Sequence, residues 1–72
     1  MKVYFLEIIG KVEYCQYEDM VVVASTSKEA RKIAIENCRD EGSIWGNAKL
    51  TTCNAISLKG KAKFITGNYW ND

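Results

Sequence analysis

Three cysteines, Cys15, Cys38 and Cys53, and two adjacent acidic pairs, Glu18-Asp19 and Asp40-Glu41, carry the chemistry this chain could do. Thiolates attack electrophiles or bind soft metals, and neighbouring carboxylates can divide the roles of acid and base. The spacing supports neither use. Histidine, the usual base near neutral pH, does not occur, and no two cysteines form a C-x-x-C pair. Cys38 falls at the C-terminal end of an expected helix, where the dipole disfavours a thiolate. The acidic pairs sit at element ends, where charge is common in any case. Isolated glycines provide no phosphate loop and no dinucleotide fingerprint. The expectation is a protein that is not an enzyme, with no cofactor and no metal.

Binding chemistry is better represented. From Ser43 onward the cations are Lys49, Lys59, Lys61 and Lys63, against Asp72 alone. Such lysines would hold phosphates while Trp70, Tyr69 or Trp45 stacked on bases. Their small number and the lack of arginine among them favour another use, the protection of an edge strand. A second candidate is the first strand, apolar on both faces, with Val3 and Phe5 on the face that also carries Glu7. With Tyr14 and Tyr17 it forms the kind of aromatic, apolar surface that suits a protein partner or a second copy. The candidate partner-binding residues are thus Val3, Phe5, Tyr14 and Tyr17. The nucleic-acid alternative uses Lys59, Lys61, Lys63 and Trp70.

The elements that must position these residues are organised around residues 26–42. Thr26 stands three residues before Glu29, the spacing of a capping box. Ala30, Ile33, Ala34, Asn37, Cys38 and Glu41 recur at helical spacing, and Gly42 supplies a left-handed stop. Arg31, Lys32, Glu36, Arg39 and Asp40 should then face water. Residues 2–9 read as a strand with Tyr4, Leu6 and Ile8 toward the helix, and 20–24 as a second strand. Residues 10–18 are either the far part of a long hairpin or an irregular connection. Trp45 reads as a plug over the helix end. Residues 50–57 and 61–66 read as a closing hairpin through Leu58-Lys59-Gly60, with Gly60 left-handed, Cys53 and Ala55 outward, and Asn54 and Ile56 inward.

The expected fold class is α+β, a single helix on a small, mainly antiparallel sheet in the order β-β-α-β-β, forming one domain over residues 1–72. Seventy-two residues leave room for one small core, and a net charge of +1 gives no strong pull toward nucleic acid or anionic membranes. No apolar run is long enough to span a bilayer, and no secretory leader pattern opens the chain. An odd, scattered set of thiols fits reduced cysteines, so a cytoplasmic location is expected.

The opening Met1-Lys2-Val3-Tyr4-Phe5-Leu6-Glu7 and the run from Val21 through Ser27-Lys28-Glu29-Ala30-Arg31 to Ala34, with Trp45 and the Cys53-to-Ile56 strand, resemble small phage and prophage proteins. The resemblance implies a compact α+β domain of mobile-element origin and carries over no site residues. Some such proteins act as stoichiometric inhibitors of host defence. The expected function is a non-catalytic interaction module occupying a partner's surface; the alternatives are nucleic-acid binding through the lysine-rich C-terminal hairpin and a structural homo-oligomer pairing through the sheet.

Overall fold

A near-continuous run of β-forming apolar side chains makes Lys2–Ile8 the strand on which the rest is assembled. In the computed structural model, which describes residues 1–13 and 15–67, this strand (β1) is the centre of a three-stranded antiparallel sheet. Its neighbours are β2 (Asp19–Ala24) and β3 (Thr51–Ile56). Both run opposite to β1 and so parallel to each other, with the helix α1 (Ser27–Asn37) in the connection between them. The fold class is α+β, with one helix on one face of the sheet.

Residues 10–18 are an irregular connection within the β1–β2 pair, pinned at its end by the Ile8 N–H donating to the Glu18 carbonyl at 3.1 Å. The cap of α1 is built as its spacing requires: the Glu29 N–H donates to Thr26 Oγ1 at 3.1 Å. The reciprocal bond falls one residue earlier than a capping box places it, from the Ser25 N–H to Glu29 Oε1 at 2.7 Å.

Tyr4 and Leu6 point to the helix, as the alternation requires, and form the core with Val22, Ala24, Ala30, Ala34 and Trp45. Ala30 and Ala34 are fully buried one turn apart. Their small side chains let the helix sit close to the sheet, while Ile33 and Cys38 pack at the sides.

Three expectations need correction. The helix ends at Asn37 rather than Gly42, because Cys38 is extended. Asn37 lies outside the buried stripe: it is exposed, and its Nδ2 caps the Ile33 carbonyl at 2.9 Å. Gly42 is left-handed, with φ of +63°, but it opens a 3-10 helix, Gly42–Gly46. That turn is needed to bring Glu41 and Trp45 inward.

The second correction is the closing hairpin. Residues 61–66 form no strand, and every residue from 57 to 67 is exposed, although Gly60 is left-handed at φ of +92°. No described element packs on this segment, so a strand here would gain no burial to offset its ordering entropy.

The third concerns the faces of β3. Cys53 and Ala55 lie opposite Leu6 and Tyr4 on the helix side, while Asn54 and Ile56 lie opposite Phe5 and Val3 on the outer side. Without a lysine strand to satisfy, pairing with β1 sets the register; Cys53 packs against the core, while Ala55 is exposed.

Close helix–sheet packing at alanine makes a testable demand. Ala34→Leu should lower stability by about 1–3 kcal/mol through overpacking. Ile35→Leu, on the outer flank of the same helix, should change it little. Urea unfolding of both variants measures the difference.

Candidate functional site

Beneath the end of α1 lies a buried polar cluster. Glu41 is only 5 % exposed, and its carboxylate accepts from the Tyr17 N–H at 2.9 Å, the Arg39 N–H at 2.8 Å and Trp45 Nε1 at 3.1 Å. Burial pushes the carboxyl's pKa up. The bonds from its own N–H, from Tyr17, Trp45 and Arg39 outweigh that, so the net shift is below the ordinary value of 4.5. Arg31, expected to face water, is half-buried instead. Its Nη1 donates to the Trp45 carbonyl at 2.9 Å and to Thr51 Oγ1 at 2.7 Å, and its Nη2 to the Thr51 carbonyl at 3.2 Å. Asp40 also uses its backbone, donating to the carbonyl of Cys15, a residue held at φ of +64°.

These charges are satisfied by fixed partners and hold loops together. Every described buried polar side-chain atom has a hydrogen-bond partner. Trp45 is fully buried, so it plugs the core and cannot stack on a base. Burial pushes the Cys53 thiol above its ordinary range, against the pull of the Arg31 charge, which keeps it protonated and a poor nucleophile. Among the described residues no cluster of three His, Cys, Asp or Glu could hold a metal ion, and no helix is long and apolar enough to cross a membrane.

The opposite face of the sheet is different. Register places Val23, Val3 and Ile56 in one row across the strands, Val21, Phe5 and Asn54 in the next, and Asp19, Glu7 and Thr52 in the third. Val21 and Val23 are 60 % and 58 % exposed, while Val3, Phe5 and Ile56 are half-buried. At the end of the sheet beside Val3 and Ile56, an open concavity of about 420 Å³ is lined from both faces, by Lys2 and Ala55 as well as by Leu58 and Lys59. Of the sequence candidates, the structure brings Val3 and Phe5 together on this face. Tyr17 lies in the 10–18 loop, with its side chain exposed and its N–H on Glu41. Tyr14 and Trp70 lie outside the described residues.

Val21, Val23 and Ile56 complete the patch and escaped the sequence reading. The signal for the valines is the unbroken Val21-Val22-Val23 run, which must put two of three side chains on the face away from the helix. Ile56 required the register. Lys59, Lys61 and Lys63 are exposed on coil rather than aligned on a strand, and Lys63 Nζ reaches back to the Lys59 carbonyl at 3.4 Å. A second open hollow, of about 450 Å³, lies along α1 over Ile35 and Gly46 between Lys28, Arg31, Lys32 and Glu36. Comparison with family profiles, with curated proteins and with solved structures returns no match.

The Glu41 cluster has a pH signature. A carboxyl whose folded pKa is depressed contributes stability that is fully present above its unfolded value, and loses it as pH falls through the folded one. Glu41→Gln should therefore lower stability at pH 7 by about 2–3 kcal/mol, since it weakens hydrogen bonds to a buried charge. The difference from the wild type should shrink as the pH falls below about 4.5. Thermal unfolding monitored by circular dichroism between pH 7 and pH 3 measures both effects.

Proposed function

We propose that this chain is a non-catalytic interaction module that acts by occupying a protein partner's surface with the outer face of its sheet. The observation that carries this reading is the aligned patch of Val3, Phe5, Val21, Val23 and Ile56, which no helix or further strand among the described residues covers. An antiparallel sheet with one free face ordinarily turns polar residues to water there. Contiguous apolar surface on so small a domain marks a contact site. The described buried charges are committed to structure, and the Cys53 thiol is held protonated, which supports a role without catalysis. The resemblance to small phage and prophage proteins supports a mobile-element accessory protein or stoichiometric inhibitor working in a host cytoplasm.

A second reading has one observation in its favour. Phe64 is 85 % exposed directly after Lys63, so the coil offers cations beside an aromatic side chain, as single-stranded nucleic-acid binders do.

Val21→Lys combined with Val23→Lys should leave the circular dichroism spectrum unchanged, because both side chains already face water. It should weaken capture of a protein partner by at least about tenfold. Equal capture by the variant and the wild type would refute the use of this face. A labelled single-stranded oligonucleotide titrated at low salt decides the second reading: binding that Lys61→Glu with Lys63→Glu abolishes would establish it over the first.

A further inference from the structure

The two edges of the sheet, β2 and β3, are finished differently. Along an antiparallel edge strand, one residue bonds inward and the next points its N–H and C=O outward. On β3 the Ile9 N–H donates to the Leu50 carbonyl, so Thr52, Asn54 and Ile56 bond to β1 while Thr51, Cys53 and Ala55 point outward. The first of these is already engaged. The Thr51 N–H donates to the Asn47 carbonyl at 3.0 Å, and the Thr51 carbonyl accepts from Arg31 Nη2 at 3.2 Å. On β2 the Ile8 N–H donates to the Glu18 carbonyl, so Met20, Val22 and Ala24 bond inward while Asp19, Val21 and Val23 point outward. No described backbone hydrogen bond outside the sheet engages these three residues.

β2 also lacks the devices that keep an edge from pairing. Its residues, Asp-Met-Val-Val-Val-Ala, include no lysine, proline or glycine, and three consecutive valines favour extended chain. The lysines expected to guard an edge stand on coil instead, at Lys59, Lys61 and Lys63.

The outward groups of β2 complement themselves. A two-fold axis through Val21, normal to the sheet, sets Val21 beside Val21 of a second copy and Asp19 beside its Val23. Every outward N–H and C=O of the three residues then has a partner. Moving the axis one residue either way breaks this. One shift needs the Ser25 N–H, which Glu29 Oε1 holds at 2.7 Å, and the other needs the Tyr17 N–H, which Glu41 Oε2 holds at 2.9 Å. Charge agrees with the antiparallel choice: the two Asp19 residues stand four positions apart along the strands, or about 13 Å, whereas parallel pairing would set them side by side.

We propose that β2 pairs edge to edge with β2 of a second copy, antiparallel about Val21, and joins two three-stranded sheets into one. This stands on the strand edge and does not rest on the outer-face reading. The axis keeps both helices on one face, where Met20, half-buried in a single chain, meets Val22 of the mate. On the other face the row of Asn54, Phe5 and Val21 runs on into the same row of the mate. The engaged groups of Thr51 oppose addition of a further copy at β3, so the assembly closes at two.

Sedimentation velocity of the full chain over a concentration series tests this, with Val21 as the probe. The wild type should dimerise. Val21 is 60 % exposed, so folding tolerates Val21→Lys and Val21→Glu. Each variant alone should self-associate at least about tenfold more weakly, since like charges then stand directly opposite across the axis. An equimolar mixture of the two should recover the dimer, because opposite charges then meet. Amide hydrogen exchange separates edge pairing from stacking of faces: Asp19, Val21 and Val23 should gain protection as concentration rises, while Cys53 and Ala55 should not. A wild type that stays monomeric overturns the pairing and leaves the outer-face reading to its own capture test. A dimer that both Val21 variants leave intact also overturns it. So does a mixture that recovers nothing, or a dimer whose Asp19, Val21 and Val23 amides exchange as fast as in the monomer.

Discussion

Burying a tryptophan requires an acceptor for its indole N–H, and here that acceptor is a carboxylate. Glu41 meets Trp45 Nε1 inside the core, and a buried charge of this kind is tolerable only when its remaining lone pairs are also satisfied. Tyr17 and Arg39 supply backbone donors from the loop after β1 and from the turn after α1. Much of the local geometry follows. The helix must stop at Asn37 so that residues 38–41 can curl beneath it. Gly42 must be left-handed to start the 3-10 helix that delivers Trp45. The 10–18 connection is held where it can donate to Glu41, and its Cys15 carbonyl takes the Asp40 N–H.

Arg31 carries the same logic to the sheet. Its guanidinium joins the Trp45 carbonyl to both oxygens of Thr51, the first residue of β3. The buried Thr51 hydroxyl reaches the carbonyls of Ile44 and Asn47, so the chain enters β3 at a fixed point. With β3 anchored there, its register on β1 places Cys53 against the core and sends Ile56 outward. The apolar patch on the free face is thus a downstream result of how the opposite side is pinned.

Local signals were legible in the sequence and long-range ones were not. The cap at Thr26, the strand alternation at Tyr4 and Leu6, the burial of Trp45 and the left-handed Gly42 and Gly60 each depend on residues within a few positions of one another. Arg31 read as ordinary surface charge, and Glu41 as the last position of the helical stripe and charge usual at an element end, because their partners stand 20 and 24 residues away, at Thr51 and Tyr17. Residues 61–66 have the alternation of a strand, but a strand also needs something to bury against, and that is not written in the segment, which is exposed throughout. Half the outer patch was visible as the doubly apolar first strand. The other half needed the pairings of Val3 with Val23 and Ile56, and of Phe5 with Val21.

The acidic row on the outer face bears on which associations the patch permits. Two bare sheet faces stacked on each other would bury valine against valine, the simplest way to remove this surface from water. Glu7 and Asp19 oppose that arrangement. Stacked one way, acid meets acid; stacked the other, the carboxylates of one copy are buried on the valines of its mate. Both outcomes desolvate charge without pairing it, which works against the gain from burying the valines. Cations brought to this row would meet no such penalty. The acids therefore act as a filter: they disfavour indiscriminate stacking of one bare sheet face on another.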